Sequence, residues 1–94
     1  MNNYSVLISL YFKESPLHLR EALDSIFSQT CRSNDVVLVE DGTLGEELEL
    51  VVRKYENKYP ELHVVRFEKN RGLGFALNDG ILECKNEIVA RMDT

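Results

Sequence analysis

Positive charge is scarce in this chain of 94 residues: 11 lysines and arginines stand against 16 aspartates and glutamates, a net charge of −5. Nonspecific nucleic-acid binding draws its affinity from a dense cationic face that releases counterions, so this balance argues against a nucleic-acid partner. Long apolar runs are also missing, and none approaches the roughly 20 residues of a membrane-spanning helix. The opening segment, Met1 to Ser15, has no basic stretch, and its apolar run is interrupted and β-like, unlike an export signal. Cysteine is limited to Cys31 and Cys84, far apart and outside any metal-ligand spacing. The expectation is two reduced thiols in a cytoplasmic protein. No G-x-x-x-x-G-K-[ST] is present, which excludes a P-loop nucleoside triphosphatase in this stretch. Gly72-Leu73-Gly74-Phe75-Ala76-Leu77 matches a dinucleotide G-x-G-x-x-G only in part: the third glycine is absent, and the segment follows a third strand rather than a first.

At 44% hydrophobic and 29% charged residues the composition is that of a globular domain. A chain this short forms one domain with a thin core, burying about 60–65% of its unfolded surface. Four short apolar runs alternate with three helical patterns. Tyr4 to Tyr11 reads as a strand covered on both faces. Ser15-Pro16 reads as a helix start, serine as N-cap and proline at the first helical position. Leu19, Ala22, Leu23, Ile26 and Phe27 then share one helical face. Val36 to Val39 is a second buried strand, which leads into Glu40-Asp41-Gly42-Thr43. Thr43 or a neighbour is expected to cap the next helix, in which Leu48, Val51, Val52, Tyr55 and Tyr59 keep the helical period and Pro60 ends it. Leu62 to Phe67, carrying His63 and Arg66, reads as an edge strand. After the Asn70–Gly74 turn, Leu73, Ala76, Leu77, Gly80, Ile81 and Cys84 form the stripe of a third helix, and Ile88 to Met92 a fourth strand. The order β-α-β-α-β-α-β implies an α/β, Rossmann-like parallel sheet with right-handed crossovers. An apolar strand running almost to the last residue, with Asp93 after it, suggests a piece of a longer protein.

Ligands of open α/β sheets bind beyond the carboxyl ends of the strands. That rule selects Ser9, Leu10, Tyr11 and Phe12; Glu40, Asp41, Gly42 and Thr43; Asn70, Arg71, Gly72 and Gly74; and Asp93 and Thr94. The set combines an aromatic ring, carboxylates, a guanidinium and glycines. A nucleotide can use all of them: stacking for its base, acceptors for its N–H and hydroxyl groups, a cation for phosphate. Each residue also has a plain structural reading. Asp41-Gly42 is a common turn dipeptide, Arg71 a solvated loop charge, Tyr11 the end of a core strand. His18 and His63 read as surface residues, and Cys84 as packing.

Several segments together resemble the family 2 glycosyltransferases. Val6-Leu7-Ile8-Ser9-Leu10-Tyr11 resembles the opening V-S-V-I-x-P-x-Y-N of that family. Leu19 to Thr30 is similar to L-x-x-x-L-x-S-I-L-x-Q-T, and Val37 to Thr43 to V-V-D-D-G-S. Asn70-Arg71-Gly72-Leu73-Gly74, followed by Asn78-Asp79-Gly80, resembles N-x-G-x-x-x-A-x-N-x-G. Arg91-Met92-Asp93-Thr94 resembles the start of D-x-D. The motifs occur in the family's order over almost the whole chain. Leu10 replaces the usual proline, Phe12 the usual asparagine, and Glu40 stands where aspartate is usual.

The resemblance implies the N-terminal half of a GT-A fold, the half that binds a nucleotide-diphosphate sugar, with a UDP-sugar as the expected donor. By position, Tyr11 stacks near the base with Ser9 beside it. Asp41 accepts from a base N–H, Glu40 belongs to the same site, and Arg71 lies by the base or its phosphates. Asp93 is the first acid of D-x-D, near the ribose and a Mg²⁺ or Mn²⁺ ion. The implied reaction is sugar transfer, of the inverting type, to a glycan or lipid-linked acceptor in polysaccharide synthesis. It is expected in the cytoplasm or, through the parent protein, at the inner face of the membrane. The general base belongs to the second half of the fold and has no candidate here. The isolated piece is expected to be inactive and to self-associate through an uncovered strand edge and sheet face. Two alternatives stand beside this reading: a receiver-like signalling domain, suggested by Glu40-Asp41 at a strand end, and a noncatalytic interaction module.

Overall fold

A computed structural model describes residues 2–92. Four parallel strands and three helices alternate strictly: β1 (Asn2–Leu10), α1 (Pro16–Phe27), β2 (Ser33–Glu40), α2 (Glu46–Lys58), β3 (Leu62–Arg66), α3 (Leu73–Glu83) and β4 (Val89–Met92). The spatial order is β3-β2-β1-β4. The chain therefore steps outward from β1 to β3, then returns across the sheet to place β4 on the other side of β1. This reversal creates the switch point at which open α/β sheets bind ligands.

β1 and β2 are the inner strands, and their composition explains why. Leu7, Ile8, Leu10 and Val36 to Val39 are fully buried. Continuous β-branched and aliphatic runs of this kind suit strands covered on both faces. Alternate side chains go to opposite layers. Val6, Ile8, Leu10, Val36 and Leu38 pack with Leu19, Leu23, Ile26, Leu48, Val51 and Val52 of α1 and α2. Leu7, Val37 and Val39 pack with Ala76 of α3. Gly80 lets α3 lie close to the sheet: a Cβ there would meet Leu7 Cδ1 at 2.4 Å and Val39 Cγ2 at 2.9 Å.

The start of α1 is set locally. Ser15 is the N-cap, its Oγ accepts from the His18 N–H, and Pro16 opens the helix. α2 is different from expectation. Its N-cap is Gly45, with no side-chain cap, while Thr43 Oγ1 donates to the Glu68 carbonyl at 3.4 Å. Thr43 ties two loops together and does not cap the helix. Glu46, Glu47 and Glu49 in the first turn and Lys58 in the last complement the helix dipole. Beyond the far end of α2, Tyr59 stacks on Phe27 with ring centroids 3.9 Å apart. Arg32 lies over both rings and pairs with Glu61.

α3 also departs from expectation. Ala76 and Gly80 face the sheet, but Ile81, assigned to the same stripe, is half exposed, and Phe75 and Leu82 are 62% and 82% exposed. This helix is apolar on a second side. His18 and His63 lie on the surface as expected, and both cysteines are free.

Candidate functional site

The site expected from the sequence lies at the carboxyl-end rim of the sheet. There β1 and β2 end in register, Leu10 beside Glu40, and the Asp41 N–H donates to the Leu10 carbonyl at 2.8 Å. Tyr11 and Asp41 thus leave adjacent strands at the same level. Strand alternation places Ser9, Tyr11 and Asp41 on the side of the sheet that carries Val39 and α3. Tyr11 is 42% exposed, with Phe12 edge-on to it at 6.1 Å. An aromatic ring this open at a strand end is available for stacking.

Asp41 is buried, with 4% exposure. Its Oδ1 accepts from the Arg71 backbone N–H at 2.7 Å, and its Oδ2 from the Gly72 N–H at 3.0 Å. Asn70 Oδ1 also accepts from Gly72 N–H, at 3.1 Å. The carboxylate thereby holds the turn that precedes α3, at the positive end of the helix dipole. The β2–α2 and β3–α3 loops touch at Gly42. Its φ is +94°, and a Cβ there would lie 2.9 Å from the Asn70 backbone nitrogen, so only glycine fits. Gly72, the N-cap of α3, has φ +91°.

The Arg71 guanidinium is not consumed by these contacts. It lies 5.7 Å from the Phe67 ring centre and 4.0 Å from Asp79, with its side chain 58% exposed. Arg66, Phe67, Glu68, Lys69 and Arg71 line an open cleft of about 450 Å³ beside it.

Glu40 belongs elsewhere. One residue earlier than Asp41, its side chain points to the opposite layer, 4% exposed, with Oε2 3.4 Å from Arg66 Nε. Arg66 also pairs with Glu49 and Glu56, each at 3.1 Å. Three carboxylates thus surround one guanidinium. Among the described residues Glu40 Oε2 has no hydrogen-bond partner. Burial, then the neighbouring Glu49, pushes the Glu40 pKa up to about 7. Glu49, against its own burial, is held below its ordinary value by the neighbouring Glu40 and by the Arg66 guanidinium.

Of the expected site residues, the structure therefore brings Ser9, Tyr11, Asp41 and Arg71 to one rim. It puts Glu40 under α2, and Asp93 lies outside the described residues. Phe67, which supports Arg71, was missed, while Asn70, selected with the rim loops, accepts from the Gly72 N–H. The period-two alternation of β2 was the available signal for separating Glu40 from Asp41. Phe67 lies four residues before Arg71, and that short spacing was the signal available for it. Among the described residues no group of three His, Cys, Asp or Glu side chains is arranged to hold a metal ion.

The profile of glycosyl transferase family 2 matches residues 5–94. The chain belongs to glycosyl transferase family 2. An uncharacterized glycosyltransferase of Haemophilus influenzae is 50% identical over 91 residues, covering 97% of this chain and 34% of the relative. The Escherichia coli UDP-Gal:alpha-D-GlcNAc-diphosphoundecaprenol beta-1,3-galactosyltransferase is 40% identical, with 97% and 33% covered. The mannosyltransferase PcManGT from Pyrobaculum calidifontis, solved with GDP-Man and Mn²⁺, superposes with a TM-score of 0.81 at 27% identity, over 97% of this chain and 27% of that one. The α/β sheet is thus the N-terminal Rossmann-like half of the family 2 fold, and the chain spans about a third of the length of the curated relatives it matches.

Proposed function

We propose that residues 1–94 are the donor-binding part of a glycosyltransferase, which moves a sugar from a nucleotide-diphosphate donor to a glycan or lipid-linked acceptor. The observation that carries this reading is the convergence of Tyr11, Asp41 and the Arg71 loop at the carboxyl-end rim beside the switch point. Tyr11 offers its ring to the base, and Ser9 and Asp41 offer polar atoms on the same side. Arg71 offers a cation to the diphosphate. Similarity to a relative named for UDP-Gal favours a UDP-sugar. Asp93 supplies an oxygen ligand for Mg²⁺ or Mn²⁺, whose charge would offset that building on the departing diphosphate. The acceptor's general base and the inverting geometry belong to residues beyond this chain, so the 94 residues alone transfer no sugar.

Among the described residues no helix is long and apolar enough to cross a membrane. The reading places the reaction on the cytoplasmic side, where the acceptor's lipid can present its glycan to the rim. The exposed Phe75, Ile81, Leu82 and Ile88, with the open edge of β4, support self-association of the chain when it is isolated.

A receiver-like reading needs an acidic pair at one strand end. Glu40 and Asp41 point into opposite layers, which speaks against it. Titration of the full-length protein with UDP and Mn²⁺, followed by NMR, tests the proposal. Shifts at Tyr11, Asp41 and Arg71 are expected. Saturating UDP that leaves all three unmoved would refute the donor site.

A further inference from the structure

Glu40 is a buried acid that takes no part in the rim. With Glu49 and Glu56 of α2 it faces the single guanidinium of Arg66, at the end of β3. Arg53 adds a second cation, 3.5 Å from Glu49, with its side chain mostly in water. On the other flank of Glu40, β1 places the apolar Leu10. Two cations match two carboxylates, and a third negative charge has no partner. Glu40 is the member least able to bear it, because its side chain is 4% exposed, against 23% for Glu49 and 35% for Glu56. Its Oε2 also lacks a hydrogen-bond partner among the described residues. A proton on Glu40 answers both deficits: a carboxylic acid donates an O–H, and Glu49 is close enough to accept it.

The position of the pair gives this proton a mechanical role. Glu40 is the last residue of β2 and Glu49 lies in the first turn of α2, so they stand on the two stems of the loop 41–45. The Glu40 carbonyl also accepts from the Gly42 N–H at 3.1 Å and the Phe67 N–H at 3.0 Å. No side-chain cap secures the start of α2, whose N-cap is Gly45. We propose that Glu40 and Glu49 form a proton-operated latch: the proton between them clamps the start of α2 to the end of β2, and its loss frees the loop 41–45 at the carboxyl-end rim. Ionised Glu40 is repelled by Glu49 and Glu56, and the Arg66 guanidinium that offsets it is already paired with both. The latch holds whether or not the rim binds a donor. Burial, then Glu49 beside it, keeps the Glu40 pKa up at about 7 against an ordinary 4.5, so the latch is closed below neutral pH and opens above it.

Amide hydrogen exchange of residues 41–50 in the full-length protein, corrected for intrinsic rates, tests the latch between about pH 6 and about pH 8.5. Wild-type protection should fall about tenfold over that range, the change expected when opening returns the Glu40 pKa from about 7 to 4.5. Glu40→Gln carries an N–H donor and no titrating proton, and its protection should stay within about twofold. A wild type whose protection does not fall, or a variant that loses as much as the wild type, would overturn the latch. If Glu40→Gln loses its cooperative melt, Glu49→Gln serves in its place. Removing the Glu49 charge makes Glu40 easier to ionise, so the loss of protection should move to lower pH. A midpoint that stays where the wild type has it would count against the proposal.

Discussion

A buried aspartate stands near each end of β2: Asp35 accepts one backbone N–H from the residues just after α3, and Asp41 two from the residues just before it. At the amino-end rim, Asp35 Oδ2 accepts from Ser5 Oγ at 2.7 Å and from the Lys85 N–H at 2.9 Å, just past the end of α3. Ser5 Oγ in turn accepts from the Asn86 N–H at 3.2 Å, and Asn86 Nδ2 donates to Asn34 Oδ1 at 2.7 Å. Each member of this network partners another, and Ser5 is wholly buried. At the carboxyl-end rim Asp41 makes an equivalent grip on the residues before α3, but around it stand an exposed guanidinium and two exposed aromatic rings. The two acids pin one helix in the same manner. The difference lies in the surroundings: one rim satisfies its polar groups internally and closes, while the other leaves charge and aromatic surface unspoken for. Binding needs the second kind of rim.

The comparison is broken most directly by truncating each acid. Asp35→Ala leaves the wholly buried Ser5 Oγ, and with it the part-buried Lys85 N–H, without an acceptor, at an expected cost of about 2–3 kcal/mol in urea unfolding. Nucleotide binding should change less than twofold. Asp41→Ala frees two part-buried N–H groups but leaves no buried hydroxyl unpaired, so it should cost less, about 1 kcal/mol, while abolishing most UDP affinity. Equal effects of the two variants on both readouts would show that the rims do not differ as described.

A second contrast is between the neighbours Glu40 and Asp41. Burial raises the Glu40 pKa from its ordinary 4.5 to about 7, so between those pH values folding takes up a proton. Its contribution is complete below about pH 4.5 and is lost as pH rises through 7. Glu49 has the opposite sign: its lowered pKa adds stability above its ordinary value, lost on acidification. Between pH 5 and 8 Glu40 governs. The wild type should lose stability across that range, on the order of 1–3 kcal/mol. Glu40→Gln, which carries no titrating proton, should show a clearly flatter profile by thermal melts at each pH. Equal slopes would place the ionisation elsewhere.

The smallest effect on folding is expected at the outer side of α3 and the start of β4. Leu82→Glu and Ile88→Glu remove apolar surface that is already exposed, so stability should move by less than about 0.5 kcal/mol. Sedimentation of the isolated chain at several concentrations should nonetheless shift toward monomer. A wild-type chain that is monomeric throughout would remove the self-association proposal.

Much of this architecture was legible from residues alone. The Ser15-Pro16 start of α1, the buried run of β2 and the polar edge strand β3 occur where periodicity and capping place them. So do the rim loops that carry Tyr11, Asp41 and Arg71. Thr43 was misread because its hydroxyl found the Glu68 carbonyl, 25 residues away, in place of a nearby N–H. Ile81 was misread because α3 carries apolar residues on a second side, with Phe75 and Leu82, so its sequence did not say where the sheet-facing side ends.

Element order, helix starts and the buried character of β1 and β2 follow from interactions within a few residues, where side-chain period and backbone preference decide. The partners of Asp41, Asp35 and Glu40 come from 9 to 50 residues away. They depend on which strand lies beside which and on the register of the pairs. Alternation along β2 already sends the two adjacent acids to opposite faces, but only the folded sheet decided which face meets the rim and which is shut beneath a helix.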